Sequence, residues 1–296
     1  MTSTRSAPNL RASLARDGFV IVPSLLSPAQ LVELRAATAR ATQLARSGQW
    51  PFFRTLPKQF PPWGNDPSGG IWGVQHLLHP DLPDAPTLAS IYFSDALMVP
   101  ISALLSCTED DLVQELFNLL VRPDADFALR WHRDDVSADA TAEEEDRVLK
   151  GAAAANHAQY NLALYDDASL IVVPGSHARA RTPSERATGP FDDAMPGAIT
   201  VQLKAGDVVF YNNNILHRGK YSQDVERMTL HGSVGTKGHG SERARNVLQH
   251  GNGEWVARCD FSGLEKGVRE RAEEMRGRAV QMGSAHPDVG FFSADE

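Results

Sequence analysis

Three His-x-Asp pairs occur in this chain of 296 residues: His79 with Asp81, His132 with Asp134, and His286 with Asp288. Two imidazoles and one carboxylate that leave the remaining positions of a metal open form the facial set suited to non-haem Fe(II) and oxygen chemistry. With ten histidines and this acidic content, about one such short pair is expected by chance, so context decides. His79 and Asp81 straddle Pro80 in a turn-rich stretch, where proline removes a ladder donor. His286 and Asp288 straddle Pro287 near the end, with no later histidine to complete a set. Both pairs read as surface text. In "FALRWHRDD", by contrast, strand alternation places Arg130, His132 and Asp134 on one face, opposite Leu129 and Trp131. His217 follows "AGDVVFYNNNIL", a Gly-Asp turn leading into an apolar strand, the context that brings a third ligand from a neighbouring strand.

Ten residues beyond His217, which is read as preceding a Gly-containing turn, stands Arg227. From Val225 onward the alternation sets Val225, Arg227, Thr229 and His231 on one face, against Glu226, Met228 and Leu230. A guanidinium pointing into a sheet interior is costly unless it meets an anion, and its planar fork fits a carboxylate. Two readings stay open here: Arg227 anchors an acidic ligand, or it closes an internal ion pair with an aspartate. "HRDD" taken alone is a solvated strand end.

The elements that must position these residues are mostly strands. Strand-like runs appear in "GIWGVQHLL", "LFNLLV", "FALRWHRD", "QYNLALY", "SLIVVPG", "AITVQL", "DVVFYN" and "VERMTLHG". Few helical patterns intervene, which predicts an all-β core. Ahead of it, Phe19 to Val22 reads as a short strand, and Ser27, Pro28 and Gln30 supply an N-cap, a first helical position and a capping box. Leu31, Leu34, Thr38, Ala41 and Ala45 follow at helical spacing, with Gly48 as a stop. Residues 51–67 read as an irregular aromatic wrap. Two polar inserts, 136–157 and 178–196, read as loops, and 264–282 reads as an outer helix available for homo-oligomerisation. The expected organisation is one domain, 1–296, with residues 10–50 as supporting strand and helix, 69–235 as the core and 236–296 as a helical extension.

With 42% hydrophobic residues the chain can bury a substantial core, and a formal charge of -8 argues against capture of nucleic acid or of an anionic membrane surface. A small-molecule substrate is the expected partner. Cys107 and Cys259 alone make neither a disulfide framework nor a cysteine zinc site, which fits a reducing compartment. No apolar run reaches membrane-spanning length. Arg5, Arg11 and Arg16 before any acid faintly suggest a transit peptide, but no secretory core follows; a cytoplasmic location is expected, with organellar import left open.

The combination resembles the phytanoyl-CoA dioxygenase family of Fe(II)- and 2-oxoglutarate-dependent oxygenases. It is carried by "DGFVIVPSLLSPAQL", "WHRDD", "NLALYDDASLIVVPGSH", "AGDVVFYNNNILHRG" and "ERMTLHGSVG". The resemblance implies a mainly β fold with flanking helices around a double-stranded β-helix, the jelly-roll, cupin-like core. It implies iron on His132, Asp134 and His217, and the far carboxylate of 2-oxoglutarate on Arg227 helped by Thr229. Asn161 falls beside the cosubstrate, and Arg130 is a contact to its other carboxylate. O2 would be the second cosubstrate, with succinate and CO2 released. Because halogenating relatives lack the carboxylate ligand, Asp134 implies hydroxylation, desaturation or rearrangement of a small organic substrate, such as a secondary metabolite or lipid-like molecule. "PGSH", residues 174–177, reads as a structural turn, with His177 a minor candidate for substrate contact. "DDAS" departs from the Asn-Gly turn usual in the family. The two inserts and the wrap, with Phe52, Phe53, Trp63 and Trp72, are expected to line the pocket, and Arg179, Arg181 and Arg186 are either anion contacts or solvated. Two alternatives remain: a cupin-like metalloenzyme that does not use 2-oxoglutarate, and a non-catalytic ligand-binding β-barrel.

Overall fold

Nine of the eleven strands among the described residues fall on stretches read as strands; the other two are Phe53–Thr55, inside the wrap read as irregular, and His217–Tyr221, read as the approach to a turn. The computed structural model describes residues 9–151, 157–238 and 240–287. In chain order the elements are α1 (Leu10–Asp17), β1 (Phe19–Val22), α2 (Pro28–Arg46), β2 (Phe53–Thr55), β3 (Ile71–Val74), α3 (Ala85–Tyr92), α4 (Asp95–Leu105), β4 (Leu112–Val121), β5 (Phe127–Ala128), α5 (Ala142–Leu149), β6 (His157–Ala163), β7 (Leu170–Val172), α6 (Pro183–Ala187), β8 (Ile199–Thr200), β9 (Val208–Tyr211), β10 (His217–Tyr221), β11 (Met228–Thr236), α7 (Gly240–Val247), α8 (Asn252–Trp255) and α9 (Lys266–Ala285). Arg5, Asp288 and residues 152–156 of the first insert lie outside the described residues.

The strands sort into a seven-stranded sheet, β1-β9-β6-β11-β4-β3-β2, and a four-stranded sheet, β5-β10-β7-β8. All their pairings are antiparallel. The result is a jelly roll of two sheets with flanking helices, and it does not close into a barrel. Period-two alternation gives the large sheet two different faces. Tyr160, Leu162, Phe210 and Leu230 pack outward with Leu34 and Ala41 of α2, Leu88 and Ile91 of α3, Leu97 and Ile101 of α4, and Met275 of α9. Each such full burial of a large apolar side chain contributes roughly 1.5–3 kcal/mol. The other face carries Gln159, Asn161, Tyr211, Arg227 and His231 into a cavity that His217, Gly219 and Tyr221 of the small sheet also line.

Local chemistry explains α2 as the sequence suggested: Ser27 and Gln30 form the capping box and Pro28 opens the helix. Several helices were not legible as helices. α3 and α4 hide their period in near-continuous apolar text, because apolar residues such as Val99 also stand on their exposed faces. The inserts read as loops contain α5 and α6, each with a capping box, Thr141 with Glu144 and Thr182 with Glu185. Those T-x-x-E spacings were the available signal. Among the described residues no single helix is long and apolar enough to cross a membrane. The bent pair α3–α4 passes on length and composition together, yet Leu88, Leu97, Met98 and Ile101 are fully buried in the core.

Two backbone details differ from simple alternation. His217 does not precede a turn; it begins β10, and Gly219 lies inside that strand. A Cβ at Gly219 would fall 1.8 Å from the Tyr221 hydroxyl, so glycine there makes room for the Tyr221 ring on the same face. On the partner side, Leu129 donates its N–H to Gly219 O, whereas His132 and His217 exchange both backbone hydrogen bonds. Three steps from Leu129 to His132 therefore oppose two from Gly219 to His217, which is a β-bulge. It re-aims the strand: Leu129 and His132 both line the cavity, while Trp131 packs away against Val173, Met195 and Leu216.

Candidate active site

Beyond the bulge, His132, Asp134 and His217 come together. Among the described residues they form the set that could hold a metal ion, with one ligand atom from each lying within 4.8 Å of the others. The Nε2 atoms of His132 and His217 are 3.5 and 3.8 Å from the same Asp134 oxygen. Each imidazole is oriented by its own strand: His132 Nδ1 donates to Arg130 O and His217 Nδ1 to Ile215 O, both at 2.8 Å. The Gln59 amide nitrogen lies 3.3 Å from the same His132 Nδ1, but a nitrogen already donating to a carbonyl cannot also accept. Both Nε2 atoms are thereby left as bases, the form a metal ligand needs. Burial, then the nearby His217, holds His132 well below the usual histidine range and neutral. Asp134 keeps 31% of its side chain exposed where it lines the cavity. Protein nonetheless surrounds it closely enough that burial raises its carboxyl above the usual range.

Arg227 closes the internal ion pair, and one of its nitrogens is left over. Its Nε donates to Asp167 Oδ2 at 3.1 Å, and its guanidinium lies 4.2 Å over the Tyr221 ring. Its Nη1 is buried with no hydrogen-bond partner. Burial alone would raise Asp167, but Arg227 and the hydrogen bonds from Ser169 and Thr229 outweigh it and leave that carboxyl low. Asp167 belongs to the "DDAS" turn, so the departure from an Asn-Gly turn supplies the ion-pair partner.

The other expected contacts divide. Asn161 lines the cavity and its Oδ1 accepts from His231 Nδ1 at 2.8 Å. Thr229 is fully buried and its hydroxyl donates to Asp167 Oδ2 at 2.5 Å, so it braces the aspartate behind Arg227 and does not face the cavity. Arg130 is likewise absent from the cavity wall, because the bulge breaks the alternation that put it beside His132. His177 contacts the Ala15 carbonyl and packs against Gly18, and Gly175 donates to Asp17 O, so "PGSH" is a structural turn. His79 is not surface text: it is 5% exposed, with its ring against Trp50, Phe52 and Trp255. His79 lies in the turns that follow β3, and the proline after it does not expose it.

The inserts behave differently from the wrap. Residues 178–196 do not line the cavity. Arg181 and Arg186 both pair with the fully buried Glu145 of the first insert, and Arg179 pairs with Glu185 at 2.7 Å. Arg181 and Arg186 therefore staple one insert to the other, Arg179 fastens the second insert to itself, and none of the three lines the cavity as an anion contact. The wrap does supply wall: Arg54, Gln59, Phe60, Pro61 and Trp63, with Trp72 behind them. Phe52 and Phe53 pack into the core instead. Sequence reasoning did not single out Arg54, Gln59 or His250, which lie in irregular segments or on short strands where periodicity carries no signal.

A two-sheet jelly roll holding a His-x-Asp and a distant histidine beside a buried arginine defines the class of mononuclear non-haem iron, 2-oxoglutarate-dependent oxygenases. The family model for phytanoyl-CoA dioxygenase matches residues 14–228, and the chain belongs to that family. No match was found among curated proteins. Solved structures similar in fold include AviO1 from Streptomyces viridochromogenes Tue57, at TM-score 0.54 and 20% identity over 79% of this chain and 96% of that one. EctD from S. alaskensis, solved with 2-oxoglutarate and 5-hydroxyectoine, gives TM-score 0.56 and 17% identity over 80% and 78%. HygX from Streptomyces hygroscopicus, solved with nickel and 2-oxoglutarate, gives 0.53 and 18% over 78% and 87%.

Proposed function

We propose that this chain is an Fe(II)/2-oxoglutarate-dependent dioxygenase that hydroxylates a small organic substrate, or desaturates or rearranges it, within a single oxygenase domain. The observation that carries this reading is the convergence of two Nε2 atoms and one carboxylate oxygen within 4.8 Å in a cavity whose wall includes Arg227, a residue with a buried Nη1 that has no hydrogen-bond partner. His132, Asp134 and His217 would hold iron, and the Arg227 fork would hold the far carboxylate of 2-oxoglutarate. Iron and 2-oxoglutarate, when bound, would supply the O2-dependent oxidation, with succinate and CO2 released.

The chain's own residues do the positioning. Backbone carbonyls fix both imidazoles in the ligating tautomer. Asp167, braced by Thr229, fixes Arg227 through Nε and leaves Nη1 directed elsewhere. Trp72, Tyr211, Tyr221 and Leu129 wall the cavity with apolar surface, which limits water around the reacting groups. Asn161 and His231 hold each other in place on the same wall.

The Arg227–Asp167 pair also favours a second reading, a metalloenzyme of this fold in which Arg227 is purely structural. One experiment separates them. The metal-free protein is titrated anaerobically with Fe(II) and then with 2-oxoglutarate, following the weak visible charge-transfer band of keto-acid chelation. A band in the native protein that requires higher 2-oxoglutarate in Arg227→Lys, which keeps a cation for Asp167, supports the oxygenase. Fe(II) binding without a band leaves the metal site and removes 2-oxoglutarate. Failure to bind Fe(II) removes the enzyme reading altogether.

A further inference from the structure

The geometry points to Arg54 as a second carboxylate receptor in the cavity, separate from Arg227; the inference rests on the functional reading above and deepens it. Arg54 sits at the middle of β2, and its stem crosses Gly73 of β3, its antiparallel partner. A Cβ at Gly73 would stand 3.0 Å from the Arg54 Cδ, so the glycine clears the path the side chain follows inward. The guanidinium then lies 5.1 Å from the Trp63 ring and 4.9 Å from the Trp72 ring, on the cavity wall.

Arg54, half-buried with its Nε fully enclosed, differs from the buried arginines in what it meets. Arg133, Arg218 and Arg243 also leave one nitrogen unmet, but Arg133 donates to three backbone carbonyls, and Arg218 and Arg243 each pair with an acid. Arg54 has a buried, unpartnered Nε and makes no hydrogen bond or ion pair with the described residues. Two indole faces offset part of the cost of burying a cation, without supplying an acceptor. A guanidinium desolvated in this way is a preorganised site for an anion, and its fork favours a carboxylate.

Arg54 and Arg227 do not form one clamp. Arg227 lies over Tyr221, Tyr221 stacks on Trp72 with ring centroids 6.1 Å apart, and Arg54 lies over Trp72. Each guanidinium thus has its own ring of this stack. A carboxylate reaching Arg54 has two chemical sources: 2-oxoglutarate itself, or an acidic primary substrate whose apolar part rests on Phe60, Trp63 and Trp72.

The test uses protein loaded with Co(II) under nitrogen, so that nothing turns over, with tryptophan fluorescence and calorimetry as readouts. Native protein, Arg54→Lys and Arg54→Met are titrated with 2-oxoglutarate. At saturating 2-oxoglutarate they are then titrated with matched pairs of acid and primary amide: phenylacetate and phenylacetamide, hexanoate and hexanamide. At least tenfold weaker 2-oxoglutarate binding in Arg54→Met, partly restored in Arg54→Lys, places the cosubstrate carboxylate on Arg54. Unchanged 2-oxoglutarate binding, with at least tenfold preference of the native protein for an acid over its amide that Arg54→Met abolishes, places a substrate carboxylate there. If the native protein shows no preference for any acid and the variants bind 2-oxoglutarate as the native protein does, Arg54 is cavity filler and the inference falls. If the variants do not fold, the acid and amide pairs on the native protein decide: a preference, displaced by chloride, supports a receptor, and none overturns it. Native protein that selects acids but does not bind 2-oxoglutarate would overturn the oxygenase reading and leave Arg54 as a receptor.

Discussion

Arginines gather in two regions of this molecule, and they are spent differently. Within and between the inserts, Arg179, Arg181 and Arg186 meet the carboxylates of Glu185 and Glu145 and the carbonyls of Ala138 and Ala140, and none leaves a buried nitrogen unmet. In the cavity, Arg227 leaves Nη1 unmet and Arg54 leaves Nε unmet. A cation whose donors are all used closes a structure. A spare donor is necessary for recognition but does not suffice, because Arg133, Arg218 and Arg243 also leave one nitrogen unmet while they fasten backbone carbonyls or an acid.

The sharpest way to break the comparison is at the metal ligands. Asp134→Ala should remove turnover by at least about a thousandfold, roughly 4 kcal/mol in the transition state, measured as succinate release, while the melting temperature of the metal-free protein stays within a few degrees. Retained turnover would sink the site assignment. Acid should distinguish the regions next. Burial lowers His76 to about 4, and His250, on the cavity wall, to about 3. Because the folded pKa lies below the unfolded value near 6.5, the unfolded chain takes up protons first. Stability is then full above pH 6.5 and falls as pH drops towards 4, by roughly 3 kcal/mol from His76 alone. Urea midpoints of the metal-free protein that stay flat between pH 7.5 and 5 would contradict this.

Smaller effects sharpen the contrast. Glu145→Gln leaves Arg181 and Arg186 without their carboxylate and should cost about 2 kcal/mol of stability, less than a fully buried pair because both arginines are partly exposed. The same variant should leave the affinity for 2-oxoglutarate unchanged, and a tenfold loss would show that the clasp between the inserts acts on the cavity. Arg227→Lys should do the reverse, weakening 2-oxoglutarate about tenfold, about 1.4 kcal/mol, with little change in the urea midpoint. Equal loss in both measurements would make Arg227 a fastening residue like those between the inserts.

How much of this was readable beforehand follows the same physical lines. His132, Asp134, His217 and Arg227 could be picked out because each sits at the end of, or beside, a strand whose alternation states its direction. Arg130 and Thr229 were placed by continuing that alternation, and it failed for two reasons. The bulge added a residue between Leu129 and His132, and an aspartate in the next loop captured the Thr229 hydroxyl. A bulge is a register difference between two strands, so a single strand cannot announce it. Arg54 was hidden because β2 has three residues and its direction depends on a missing Cβ across the ladder at Gly73. The helices of the inserts were recoverable from their capping boxes, and α3 and α4 were concealed by apolar residues on their exposed faces.

The two imidazoles take their orientation from the carbonyls of residues two positions earlier on their own chain segments, Arg130 and Ile215. A main-chain oxygen is present whatever amino acid occupies the position, so substitution at 130 or 215 alters the surroundings without erasing the tautomer. The proposed metal centre is in this sense uncoupled from changes in the pocket around it. A lineage carrying this arrangement can exchange one substrate for another by rewriting the wall while the ligating atoms keep their aim.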